Sequence, residues 1–155
     1  LIKIQARRNT GLFYEVKRMN KYNNQKCVLN GHTFDSRLEM QFYEHLLGLQ
    51  EKGLIEEIKL QPKYILFEGY TLEGKKVRPI TYAADFEIIY SDGKCEVVDV
   101  KGFVTETFTI KKKLFEGKFH IPLKLITYTK LDGWITLDDL KIARKKRKQL
   151  KLSKK

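Results

Sequence analysis

The stretch YAADFEIIYSDGKCEVVDVKG, residues 82–102, decides how this chain is read. Two mostly apolar runs, 85–90 and 95–101, flank Ser91-Asp92-Gly93, a pattern that predicts an antiparallel hairpin with an Asp-Gly turn. Asp85 opens the first run. Asp99 and Lys101 close the second with Val100 between them, so in a strand Asp99 and Lys101 point to the same side. Burying an unpaired carboxylate is costly. Two carboxylates and an ammonium near strand ends are therefore expected to pair, to hold a metal or to reach a cleft.

Register decides whether this is a site. A two-residue loop of Asp92-Gly93 would set Asp85 opposite Val100 and send Asp85 and Asp99 to opposite faces. A three-residue loop of Ser91-Asp92-Gly93, with Gly93 left-handed in a bulge, pairs Tyr90 with Lys94 and sets Asp85 directly across from Asp99. Glycine at the third loop position is what the second turn demands, and that register is the one expected. Both carboxylates then lie within reach of one cation. Oxygen ligands suit hard Mg²⁺, for which Mn²⁺ can substitute, and Asp85, Asp99 and the Val100 carbonyl fit that description. Such a metal acidifies its water and neutralises charge on a scissile phosphate, while Lys101 beside it can orient the nucleophile or stabilise the developing oxyanion. This is the chemistry of phosphodiester hydrolysis.

At these residues the chain resembles the PD-(D/E)xK nucleases, which share a restriction-endonuclease-like core. Ala84-Asp85 stands for the first half of the motif and Asp99-Val100-Lys101 for the second, with Ala where the name has Pro and Asp where Glu is commoner. More narrowly, residues 21–128 are similar to a phage and prophage family of small nucleases related to Holliday-junction resolvases. The landmarks are Lys21-Tyr22, GHTFDSRLE at 31–39, Gln61-Pro62, the 82–86 segment, 99–102, and IKKKLF at 110–115. The first twenty residues and the last twenty-seven are not covered. The resemblance implies a mixed α/β fold with a central mixed β-sheet flanked by helices. It further implies a Mg²⁺-dependent endodeoxyribonuclease acting on branched DNA. Two symmetric cuts imply a homodimer. In this scheme Asp85 and Asp99 bind the metal, Glu39 completes or tunes the metal centre, and Lys101 positions the attacking water. Two alternatives stay open. One keeps the chemistry and changes the target to duplex DNA, as in nicking, restriction or transposon end cleavage; the other is a non-catalytic basic DNA-binding module.

Glu39 has a second reading. Ser36-Arg37-Leu38-Glu39 fits the S-x-x-E capping box, in which Glu39 satisfies a backbone donor at a helix start. The family resemblance favours a ligand, and Asp35 could serve as the N-cap instead.

At 155 residues and 42% hydrophobic content, the chain is long enough for one sizeable core and short for two typical domains. We expect an extension at 1–20, a nuclease core at 21–135, and a basic helix and tail at 136–155. No apolar run approaches a membrane span and no signal peptide is visible, which predicts a soluble, cytoplasmic protein of a bacterial or phage-infected cell. Cys27 and Cys95 suggest neither a disulfide framework nor a zinc site, and Cys95 is expected to be a small core residue.

The net charge of +12 is unevenly spread. Residues 1–30 carry seven Lys or Arg against Glu15; residues 31–140 carry fifteen against eighteen acids; residues 141–155 carry nine and no acid. A nearly balanced core with two basic ends suits a phosphate-rich partner, although a basic tail alone is equally a solubilising one. Periodicity predicts a first helix at 36–52 with Leu38, Phe42, Leu46 and Leu49 on one stripe that Met40, Tyr43 and Leu47 widen, strands at 55–60 and 64–67, and a long strand at 78–90 bent near Pro79. A mobile segment to Thr107, a helix at 109–118, a strand at 123–128 and a basic helix from Thr136 to about Leu150 follow.

Lys111 and Lys112 of the Lys111-Lys112-Lys113 run, Gln61, and Arg144, Lys145, Arg147 and Lys148 of the last helix are the candidate DNA contacts. The bland reading of each lysine run is a solvated face, and Gln before Pro usually just ends a strand. His32, His45 and His120 are too scattered for a metal cluster. Tyr82 could stack near the scissile phosphate or simply be core, and Glu87, sharing a face with Asp85, could be a decoy or an outer ligand.

Overall fold

The computed structural model describes residues 3–6, 13–18 and 25–153, with side chains from residue 26 onward; the Lys21-Tyr22 landmark lies outside the described residues. The chain divides into two compact units, 1–52 and 53–155.

The first unit is an antiparallel sheet in chain order, β1 (Lys3–Ala6), β2 (Phe13–Arg18), β3 (Gln25–Leu29) and β4 (His32–Phe34), followed by α1 (Arg37–Glu51). None of these strands was predicted. The β3–β4 connection pairs Leu29 with His32 around Asn30 at φ 50 and Gly31 at φ 78, the two positive-φ residues that a tight hairpin requires. Ser36 caps α1. Met40, Phe42, Tyr43 and Leu46 are its buried residues, all on the expected apolar face, with Leu38 and Leu49 half-buried at its margins.

The second unit is mixed α/β. Its central sheet runs β13-β12-β11-β10-β5, built from β5 (Ile55–Leu60), β10 (Phe86–Tyr90), β11 (Cys95–Val100), β12 (Leu123–Thr129) and β13 (Gly133–Thr136). Only β11 and β12 are parallel, and α2 (Glu106–Phe119) is the crossover between them. Thr105 caps α2 at one end and His120, left-handed at φ 55, ends it. The helix thus begins three residues earlier than predicted, because the Thr105 side chain accepts from Phe108 N–H and fixes as helix a stretch expected to be mobile. Strand β13 was also unpredicted. Leaving it, α3 (Leu137–Leu152) is capped by Thr136, whose side chain accepts from Asp139 N–H. No helix of the described residues is long and apolar enough to cross a membrane.

The long strand expected at 78–90 is two strands, and the bend is not at Pro79. β9 (Ile80–Ala83) pairs with β6 (Lys63–Phe67), while β10 pairs with β5. One register runs through both ladders: Phe86 faces Leu60 and Lys63 faces Ala83, with Gln61-Pro62 and Ala84-Asp85 unassigned between them. Pro62 has no N–H to give, and Gln61 sits at φ 49, so the ladder cannot continue straight. Two backbone bonds bridge the break, Gln61 N–H to Asp85 O at 3.0 Å and Ala84 N–H to Pro62 O at 3.1 Å.

The kink also changes which side the chain presents. Simple alternation would put Tyr82 and Ala84 with Phe86. Instead both join Leu66, Val97, Leu123 and the α2 residues Phe108 and Phe115 in one buried cluster. Cys95, one residue past the hairpin turn at the start of β11, is exposed rather than core, whereas Cys27 is buried. Between β6 and β9 a two-stranded ribbon, β7 (Tyr70–Leu72) and β8 (Lys75–Val77), projects as a sheet of its own.

Candidate active site

The hairpin β10–β11 takes the three-residue loop. Tyr90 N–H donates to Lys94 O at 2.9 Å, Gly93 N–H to Tyr90 O at 2.8 Å, and Gly93 stands at φ 81. Phe86 faces Val98 and Ile89 faces Cys95, which places Asp85, one residue before β10, opposite Asp99. The two predicted carboxylates therefore share a side at the end of the hairpin remote from its turn.

Asp99 is 1% exposed, the most deeply buried charged residue described. Two groups hold it. The Tyr82 hydroxyl donates to Oδ2. Lys101 Nζ lies 2.7 Å from Oδ1, an ion pair at contact distance. That approach is not along a hydrogen-bonding direction, so Oδ1 is the buried side-chain atom left without a hydrogen bond among the described residues. Lys101 is fixed in turn by its backbone N–H, which donates to Ile126 O at 2.9 Å, and by its ammonium lying 5.4 Å from the centre of the Phe108 ring. Asp85 is half-buried, and its Oδ2 accepts from Val100 N–H at 2.7 Å.

Tyr82 is the residue whose role the sequence reading did not see. It is 6% exposed, its ring lies edge-on to Phe108 and Phe115 at 6.0 Å each, and burial, then the charge of Asp99, push its phenol far above the ordinary tyrosine value. It therefore stays protonated and serves as a fixed donor to the carboxylate. The register of 82 relative to 99 was readable from the sequence, but the phase change at the kink was not.

Among the described residues no three His, Cys, Asp or Glu side chains converge as a metal site. Asp85 and Asp99 suffice for a cation that takes only one or two carboxylates and completes its shell with backbone, water and substrate oxygens, as Mg²⁺ does. The buried Asp99 Oδ1, short of an aligned donor, is the kind of atom such a cation satisfies. Val100 enters the site through its N–H, a contact the carbonyl-ligand reading did not foresee.

Glu39 belongs to the first unit, where it forms the capping box. Its Oε1 accepts from Ser36 Oγ at 2.8 Å and its Oε2 from Asp35 N–H at 3.1 Å, while its own N–H donates to Ser36 Oγ at 3.2 Å. Glu87 is an outer residue of the hairpin, tied to Lys59 at 2.7 Å and to the Tyr64 hydroxyl at 2.6 Å. The hydrogen bonds from Lys59 and Tyr64 hold its carboxyl below the usual value.

Of the candidate DNA contacts, Lys111 donates to Thr81 O at 3.1 Å and Lys112 to Leu123 O at 2.8 Å and to Glu116, so both are engaged in holding α2 against its strands. Lys113 is the exposed member of the run. Gln61 is exposed at the kink. Arg147 pairs with Asp132 beneath α3, while Arg144, Lys145 and Lys148 are exposed along that helix.

A family model described as "Protein of unknown function (DUF1064)" matches residues 19–150, and the chain belongs to that family. No curated protein and no solved structure matches it.

Proposed function

We propose that this member of the DUF1064 family is a metal-dependent DNA endonuclease of the PD-(D/E)xK type, with branched DNA such as a four-way junction as its substrate. The observation that carries the reading is the placement of Asp85 opposite a buried Asp99, with the Lys101 ammonium 2.7 Å from the latter. A surface ion pair would need neither the burial nor the second carboxylate. An upstream helix, α1, then the hairpin β10–β11 that carries the motif, then the helix α2 follow the order expected of the superfamily core, which supports the resemblance.

Asp85 and Asp99 would hold Mg²⁺, with Mn²⁺ able to substitute. When bound, the metal would acidify its water and offset charge on the scissile phosphate. Tyr82 fixes Asp99 in one rotamer, leaving Oδ1 for the cation. Lys101, once Oδ1 is engaged elsewhere, presents its ammonium to the attacking water or the phosphoryl oxygen. The exposed Arg144, Lys145 and Lys148 of α3 supply a phosphate-binding face, and two symmetric cuts call for a homodimer.

The test is cleavage of a labelled four-way junction and a matched linear duplex, with Mg²⁺ or with EDTA, by wild type and Asp99→Ala. Junction-selective, Mg²⁺-dependent cutting lost in the variant supports the resolvase-like enzyme. Equal cutting of both substrates moves the reading to a general or restriction-type nuclease, and binding without cutting leaves only a basic DNA-binding module.

A further inference from the structure

The ribbon β7–β8 and the groove at its foot contribute nothing to the carboxylate site, yet they carry the most conspicuous exposed apolar surface of the second unit. In the ribbon Tyr70 faces Val77 and Leu72 faces Lys75, so these four share one side, while Thr71 and Lys76 share the other. Tyr70 is 48% and Leu72 60% exposed. At the foot, Phe67 is 51% exposed and its ring stands 6.0 Å from that of Tyr70 at 87°, making a corner of two aromatic faces. Gly69 sets this corner: a Cβ there would meet Val77 O at 2.9 Å, so the backbone can fold tightly enough to bring Tyr70 back beside Phe67 only without a side chain. Beside the corner lies an open groove of about 570 Å³ between β6 and α2, lined by Leu66, Leu114, Lys113 and Lys118 among others.

Charge identifies the occupant. Lys75 lies on the Tyr70 side of the ribbon, and Lys113 and Lys118 line the groove beside the rings together with Glu68; Lys76 is on the ribbon's other side. Lys118 is paired with Glu68 at 3.0 Å, which leaves Lys75 and Lys113 as the cations flanking the rings. A second copy of the chain is a poor fit, because a two-fold contact of this patch with itself would bring together two surfaces that both carry surplus positive charge. Exposed flat rings flanked by cations are instead the combination that holds an unpaired nucleic-acid strand: bases stack on aromatic faces and phosphates meet ammonium groups.

We propose that the Phe67–Tyr70 corner and the cations around it bind a single-stranded segment of DNA by base stacking. The proposal rests on the nuclease reading for its partner and extends it to a second contact, one suited to the unpaired or opened strands of a branched substrate.

The test is fluorescence anisotropy with the full chain carrying Asp99→Asn, so that the DNA stays intact, against a labelled oligothymidine and a labelled duplex. Adding Tyr70→Ala should weaken oligothymidine binding about tenfold and duplex binding less than about twofold, and Tyr70→Trp should restore the former. Phe67→Leu keeps the apolar bulk without the ring face and should show the same selective loss, which guards against a folding defect. Unchanged oligothymidine affinity in Tyr70→Ala, equal losses on both DNAs, or no oligothymidine binding by the parent would overturn the proposal. The catalytic reading fails separately: if wild type cuts no DNA with Mg²⁺ while the stacking pattern holds, the strand-binding surface stands and the nuclease does not.

Discussion

Replacing Tyr82 by Phe removes one oxygen from the protein and tests the candidate site without touching a carboxylate. The Tyr82 hydroxyl donates to Asp99 Oδ2, and at 1% exposure Asp99 has no water to replace it. A hydrogen bond to a charged group contributes about 1.5–3 kcal/mol, and here its loss leaves both carboxylate oxygens without an aligned donor. Part is recovered because a hydroxyl no longer has to be buried, so the net loss should be about 2 kcal/mol. For a unit spanning 53–155 this is a fall in Tm of about 10 °C, read by thermal denaturation followed by circular dichroism. The decisive comparison is the same substitution in an Asp99→Asn background. With the charge gone, the hydroxyl meets only a neutral acceptor and Tyr82→Phe should cost about 1 kcal/mol or less. Equal losses in the two backgrounds would mean that Tyr82 is held by the Phe108 and Phe115 rings alone, and the reasoning about Asp99 would be wrong.

Lys101→Met should abolish Mg²⁺-dependent cleavage while junction affinity, measured by anisotropy, stays within about threefold; loss of both together would deny the lysine a role in the chemical step. Glu39→Gln preserves the capping box, which accepts Gln as well as Glu, so Tm should hold, whereas Glu39→Ala removes the carboxylate from Ser36 Oγ and Asp35 N–H and should lower it; equal Tm values for the two would refute the cap. Asp85→Asn keeps an acceptor for Val100 N–H and should lose cleavage with little change in Tm, whereas Asp85→Ala orphans that N–H and should also destabilise by about 1–3 kcal/mol in urea titrations. Glu87 has a lowered folded pKa, so its contribution is present above the unfolded value of 4.5 and is lost as pH falls through the folded one. Melting profiles from pH 6 downward should therefore drop less steeply for Glu87→Gln than for wild type, and parallel curves would contradict the assignment.

Local chemistry made the hairpin legible: a glycine at the third loop position forces one register, and that register alone places Asp85 against Asp99. The capping box was legible for the same reason, since Ser36 and Glu39 interact over three residues. The first-unit sheet was missed despite Asn30-Gly31, a strong two-residue hairpin signal, because its flanking strands, QKCVL and HTF, are too short to show a clear apolar–polar alternation. Strand β13, four residues around Trp134, is likewise too short to show a period. Lys111 and Lys112 looked like a phosphate-binding run because sequence gives charge without direction; their amines turn back to the Thr81 and Leu123 carbonyls, and only Lys113 stays exposed.

The break between β9 and β10 is where fold and chemistry meet. Successive hydrogen-bonded pairs along the hairpin fall at Tyr90–Lys94 and, two residues at a time, at Ile88–Glu96 and Phe86–Val98, so the next would join Val100 N–H to Ala84 O. The ladder never reaches it, because Ala84 has turned away to donate to Pro62 O across from the Gln61 kink. Val100 N–H would be an unsatisfied donor inside a buried strand, and Asp85 supplies its carboxylate in place of the missing carbonyl. One interruption thus orients Asp85 through a backbone bond and, by shifting the alternation of β9, swings Tyr82 over Asp99. A proline that merely ended a strand would need neither consequence; the pair of them explains why an acidic residue stands at the point where the strand breaks.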